Sequence, residues 1–245
     1  MSTPNPKVLA RRSFLRNTIA IVPVAALALP AQTEGLSQGA LRNVAPTSGA
    51  APGNYQPAYF LPAEWTFIQA AVARLIPADA NGPSALEAGV PEFIDRQMEA
   101  VFGHASQWYM QGPFVASVPE FGYQGQMAPR DVYRAGIAAT DAHCLVNLGA
   151  SSFAALKPEA QDALLTGLQT GGVPLGGVDG KTFFAFLLQN TKEGYLSDPI
   201  HGGNKNAAAW AMIGFPGARA DYADWVGRPG VAYPLPPVSI NGPQG

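Results

Sequence analysis

The sequence predicts a mainly α-helical domain of irregular build, with long aromatic loops rich in Gly and Pro, preceded by an export signal and an extended tether. Three observations carry that expectation. Apolar residues recur at helical spacing in successive stretches that open on Pro or Asp, and no run alternates with the period of two that a strand face requires. Gly and Pro number 27 and 23 among 245 residues while only 13% are charged, so much of the surface is neutral loop, better suited to a partner than to bulk water. The expected organisation is a signal over 1–31, a tether over 32–59, and one helical domain with a C-terminal tail over 60–245.

The leader holds the most specific motif. Ala10 to Arg16, ARRSFLR, precedes an apolar run from Ile19 to Leu29; paired Arg11 and Arg12 ahead of Phe14 and Leu15 read as a twin-arginine export signal. Ala10 stands where the usual pattern prefers Ser or Thr. The apolar run includes Pro23 and is about a dozen residues long, short of the roughly 20 of a membrane span. Cleavage after Ala28 or after Ala31 fits, with retention as an anchor the second reading. Four of the 15 basic residues lie in this leader and all 17 acidic ones lie beyond it, which leaves a mildly acidic body and argues against nucleic acid as a partner.

In the body, Leu61-Pro62 opens a helix with Trp65, Ile68, Val72 and Leu75 on one face, ending before Pro77. Pro91 begins a second, with Phe93, Ile94, Met98, Val101 and Phe102 on its apolar side and Gly103 as its stop. Pro129 starts a third, running to about Leu148, whose candidate core positions are Val132, Tyr133, Ile137, Cys144, Leu145 and Leu148. Lys157-Pro158 opens a fourth, with Leu164, Leu165 and Leu168, closing near Gly171. Asp179 caps a fifth, in which Phe183, Phe184, Phe186, Leu187 and Leu188 make an almost all-round apolar surface; such a helix is central or pressed between two chains.

Two irregular regions stand out. Between Gln107 and Met127 a loop carries Trp108, Tyr109, Phe114, Phe121 and Tyr123, rings whose large surfaces need a core or a partner. From Asp198 the chain reads DPIHGGN: Pro199 fixes a turn, Gly202 and Gly203 admit angles closed to other residues, and Asn204 is placed to cap a short helix with Trp210 and Ile213 that Gly214 closes before Phe215 and Pro216. These residues form either the inner corner of the fold or a docking surface, and both readings stand together.

The residues supply no recognisable chemistry of their own. One Cys excludes an intrachain disulfide. His104, His143 and His201 fall at no metal spacing. Asp79 to Ser84, DANGPS, lacks the alternation and closing Glu of a calcium loop. His143 and Cys144 are neighbours on a helix and so point about 100° apart. Gly180-Lys181-Thr182 resembles the end of a phosphate loop, but Leu175 stands where that loop needs Gly. Asp198 before Pro favours an Asx-turn over acid catalysis, and no catalytic, cofactor-binding or metal residue is expected.

Taken together, Asp198 to Val226, Tyr233 to Ile240, YMQGPF at Tyr109 to Phe114, EFGYQ at Glu120 to Gln124 and PRDVYRAGI at Pro129 to Ile137 resemble the small, or gamma, subunit of membrane-bound FAD-dependent gluconate 2-dehydrogenases. The likeness runs from about Phe60 to Ile240. It implies a non-catalytic subunit of an oxidoreductase complex, partnered by a large subunit holding FAD and a multihaem cytochrome c subunit, and carried by the twin-arginine translocase to the periplasm at the outer face of the inner membrane. Gluconate is the substrate that the DPIxGGN and IGFPG elements suggest. A stand-alone periplasmic enzyme and a transient export chaperone are the rival readings: a stoichiometric cofactor in the isolated chain favours the first, and loss of the client after export the second.

Overall fold

The computed structural model describes residues 55–115 and 118–242. The signal 1–31, with Arg11, Arg12, Phe14 and Leu15, and the tether up to residue 54 lie outside the described residues. Among them six α-helices form: α1 Pro62–Leu75, α2 Val90–Glu99, α3 Pro129–Asn147, α4 Pro158–Thr170, α5 Gly180–Leu196 and α6 Ala208–Ile213. Short 3-10 turns join them. No strand is present among the described residues, only isolated bridges between Gly217 and Val238 and between Ser239 and Gly242, and none of these helices is long and apolar enough to cross a membrane.

Proline sets most of the starts. Pro62, Pro91, Pro129 and Pro158 each lie in a first helical turn, where a missing N–H removes no helical bond. For α5 the Asp179 carboxylate takes that role, accepting the Thr182 N–H at 2.9 Å. Gly171 ends α4 in the left-handed region, at φ +78°.

Helix α5 lies at the centre, packed against α1, α2, α3, α4 and α6. Phe183, Phe184, Phe186 and Leu187 are all buried, and each such side chain contributes about 1.5–3 kcal/mol relative to exposure. The predicted all-round apolar surface is therefore accounted for within this chain. A notch at Gly136 lets α3 approach α5, since a Cβ there would stand 2.3 Å from Cγ of Phe183. Polar groups enter this core only with partners: Tyr133 Oη donates to Asn190 Oδ1 at 2.9 Å, and Thr191 Oγ1 donates to the Leu187 carbonyl at 2.7 Å.

Two expectations need correction. The second helix stops at Glu99, because Ala100 turns extended at φ −83°, ψ −177°; Val101 is consequently exposed, and Phe102 swings onto Trp108 and Phe186. In α3, Val132, Tyr133, Ile137 and Cys144 are buried, but Leu145 and Leu148 are exposed. Leu145 sits about 100° round the helix from Cys144, and Leu148 lies beyond the last turn.

The end of the stretch read as tether is a strap on the domain's own surface. Asp95, fully buried on α2, accepts Tyr55 Oη at 2.7 Å and the backbone N–H groups of Ala58, Tyr59 and Phe60 at 2.7, 3.1 and 2.9 Å. Tyr59 and Phe60 are thereby held in the core.

Candidate functional site

The corner after α5 is a bonded frame. Asp198 Oδ1 accepts the Ile200 N–H at 3.1 Å, closing an Asx-turn over the 3-10 segment Pro199–His201. The same carboxylate accepts Ser239 Oγ at 2.5 Å and the Ile240 N–H at 3.0 Å, so it also fastens the C-terminal tail. Burial pushes this carboxyl up, but the donors of Ser239, Ile240 and Ile200 and the charge of His201 together outweigh it and hold the group below its ordinary range.

Gly202 and Gly203 are required by position. Gly202 has φ +95°, and a Cβ there would meet Glu92 Cγ at 2.9 Å; at Gly203 it would stand 2.1 Å from the Gly194 carbonyl oxygen, which cannot yield because it is helix backbone. Asn204 is fully buried and caps from a distance. Its own backbone is left-handed and Ala207 directly precedes α6, yet its Oδ1 accepts the Ala209 N–H at 2.9 Å while its Nδ2 donates to the Ser197 carbonyl at 2.9 Å. Trp210 is buried, its indole N–H donating to the Leu196 carbonyl at 2.8 Å, with Phe215 edge-on at 5.0 Å. Gly214 closes α6 at φ +71°.

What the frame leaves outside is apolar. Leu196, Met212, Ile213 and Phe215 are exposed. Beside them Trp210, Phe215 and Pro216 form a groove of about 390 Å³ with Tyr233 and Leu235 of the tail. The tail is braced there: Arg219 donates from Nε and Nη2 to the Pro236 carbonyl at 2.9 and 2.8 Å, and the Val238 N–H donates to the Pro216 carbonyl at 3.1 Å.

The aromatic loop divides in two. Trp108 and Tyr123 lean on Phe186 of α5, at 6.3 and 5.1 Å between ring centroids, and Tyr123 Oη donates to the Met127 carbonyl at 2.9 Å. Tyr109 and Phe121 point away from the core, 82% and 71% exposed, with Val115 and Val118 also exposed. A cleft of about 420 Å³ opens beside Trp108 and Tyr123, lined also by Tyr109, Met110, Phe114 and Gln124.

The titratable groups that the sequence singles out elsewhere have structural neighbours. Burial, and secondarily the Asp141 charge, push the Cys144 thiol up to about 11, leaving it protonated and unreactive. His143 contacts Asn147, and His104 lies beside Arg130. Asp79 spends its carboxylate on the N–H groups of Asn81 and Gly82, bonds that lower its pKa. No group of three or more metal-capable side chains gathers among the described residues.

Some residues that hold the corner escaped the sequence reading. Glu92, 8% exposed, pairs with Lys205 Nζ at 2.6 Å and with Arg96, and Arg96 donates to the Ile200 carbonyl at 3.4 Å. The i,i+4 spacing of Glu92 and Arg96 was a visible signal in so weakly charged a chain. Asp95 and Ser239 gave none, since their partners lie 35–40 and 41 residues away.

The family model described as gluconate 2-dehydrogenase subunit 3 matches residues 62–217. No curated protein and no solved structure matches the chain.

Proposed function

From the premise that the chain belongs to the gluconate 2-dehydrogenase subunit 3 family, we propose that it is the non-catalytic small subunit of a periplasm-facing, membrane-bound, FAD-dependent gluconate 2-dehydrogenase-like complex. It stabilises the flavoprotein subunit and carries it through twin-arginine export. FAD belongs to that large subunit and haem c to a cytochrome subunit, which passes the electrons on. Gluconate is the substrate proposed for the assembly.

The observation that carries the reading is the pairing of a rigid frame with uncovered apolar side chains. Asp198, Gly202, Gly203 and Asn204 are spent on internal bonds and close contacts, while Ile213, Phe215, Tyr109 and Phe121 stand in solvent at 56%, 45%, 71–82% exposure for the last two. Apolar surface fixed as firmly as that of the corner needs no reorganisation to bind, which favours a stable partner. The partner contacts are accordingly assigned to Ile213, Phe215 and Pro216 at the corner, and to the exposed rings of the aromatic loop.

Affinity purification of the tagged chain from periplasmic membranes tests this. The expected result is co-purification of a flavin-containing subunit at fixed ratio; a monomeric chain that turns over a sugar acid alone overturns the reading. Replacing Arg11 and Arg12 by Lys is expected to leave both proteins in the cytoplasm, and normal export of the flavoprotein in that strain refutes the shared ride.

A further inference from the structure

We propose that the cleft of Trp108, Tyr109, Phe114 and Tyr123 is a cage for a cationic side chain, an arginine presented by the partner subunit. The bearer of that arginine rests on the subunit reading above; the chemistry of the cage does not.

Elsewhere the molecule sets its own guanidinium groups against tyrosine and tryptophan rings, both buried and half-buried. Arg130 and Arg134 lie over Tyr59 at 4.6 and 4.4 Å, and Arg96 lies 5.8 Å from the Tyr55 ring. In the tail, Arg228 lies over Trp225 at 4.8 Å and Arg219 near Tyr233 at 5.8 Å. Each of those clusters is thus completed by a guanidinium from this chain. Among the described residues none lies over Trp108, Tyr109, Phe114 or Tyr123, although these rings line a cleft of about 420 Å³.

Charge points the same way. From residue 105 to 129 the sequence contains no Lys and no Arg, and its single charged residue is Glu120. The negative π faces therefore meet no competing cation within the loop, and the body beyond the leader carries more acidic than basic groups. The polar lining also favours a donor. Gln124 commits its NH2 to the carbonyls of Phe121 and Tyr123 at 2.9 and 3.1 Å, so its carboxamide oxygen is left as an acceptor. Tyr123 Oη is engaged with both the carbonyl and the N–H of Met127. Arginine fits such a site better than lysine, because its planar, weakly hydrated group stacks on a ring while still donating at its edge.

The test is an NMR titration of the full chain, following the indole N–H of Trp108, identified by its loss in Trp108→Phe. The probes are acetyl-Gly-Arg-Gly-amide and its neutral isostere carrying citrulline. A saturable shift is expected with the arginine peptide, with the citrulline peptide about fivefold weaker. Tyr109→Leu, a change at an exposed position, is expected to reduce arginine binding by about fivefold. Equal binding of the two peptides, no saturable shift, or tighter binding of acetyl-Gly-Leu-Pro-Gly-amide overturns the cage. So does a shift that follows protein concentration without peptide, which marks a second copy as occupant. Failure of the wild-type chain to co-purify with a flavoprotein counts against the subunit reading alone, and citrulline parity counts against the cage alone.

Discussion

Asp198 at the corner accepts three donors, and Asn204 bonds at both ends of its amide. Tyr109, in the aromatic loop, is 82% exposed and forms no ring pair with the core, while the indole of its neighbour Trp108 packs on Phe102, Tyr123 and Phe186. The corner is held by directed bonds that fix every angle. The loop has directed bonds only around Tyr123 and Gln124, and its rings are placed by dispersion and burial, which fix position less strictly. A run dense in Asp-Pro, Gly-Gly and Asn thus marked internal constraint, whereas aromatic residues among glycines marked surface. The partner contact proposed above is therefore sought on what each region leaves uncovered.

The sharpest way to break that contrast is to insert one methyl group at the corner. Gly203→Ala places a Cβ 2.1 Å from the Gly194 carbonyl oxygen, and the corner must move away from α5. We expect a loss of about 3 kcal/mol or more in urea denaturation; a loss under about 1 kcal/mol would show that the corner is pliant. Asn204→Ala comes next. It strands the Ser197 carbonyl and the Ala209 N–H at a fully buried position, at an expected cost of about 2–3 kcal/mol by the same measurement.

These two positions also mark how far the sequence was legible. Helix starts were readable because Pro and Asp act locally, and the five long helices open within a residue or two of where Pro62, Pro91, Pro129, Pro158 and Asp179 place them. Gly214 as a helix stop was readable for the same reason. Asn204 was legible as a cap but not in its mode, because its side chain reaches across a 3-10 turn to Ala209. Leu145 and Leu148 misled because periodicity names a helix's apolar residues without saying where its neighbour ends. The strap on Asp95 and the Asp198–Ser239 latch were illegible: both join segments 35–42 residues apart, and nothing local to a carboxylate announces a distant donor. The inner and outer rings of the aromatic loop were likewise indistinguishable until Phe186 showed which of them it touches.

The latch between corner and tail gives a smaller, pH-dependent effect. The folded Asp198 carboxyl is more acidic than an unfolded one, so its stabilisation is complete above the ordinary carboxylate value and is lost as pH falls through the lowered folded value. The tail is expected to stay fastened at neutral pH and to become protease-sensitive near residue 240 only below about pH 4. Asp198→Ala is expected to produce that sensitivity at pH 7, with a stability loss of about 1–2 kcal/mol. Tail cleavage independent of both pH and this substitution places the fastening elsewhere, at Arg219 and Pro236.

The smallest expected stability change carries the largest functional one. Phe121→Ser removes an apolar ring that is 71% exposed and forms no ring pair among the described residues, so the folded and unfolded chains treat it nearly alike. Its effect on denaturation is expected to stay within about 0.5 kcal/mol. If this ring is buried by the partner, the same substitution removes a contact at an interface centre, where a single aromatic is worth about 2 kcal/mol, or a roughly thirtyfold loss of affinity. Binding of the separately purified large subunit, measured by calorimetry, separates the two. Unchanged affinity with unchanged stability would free Phe121 from both roles and leave Ile213 and Phe215 at the corner as the anchors. A large stability loss would instead move the ring from the surface group to the core group, dissolving the division of the aromatic loop on which the assignment of contacts depends.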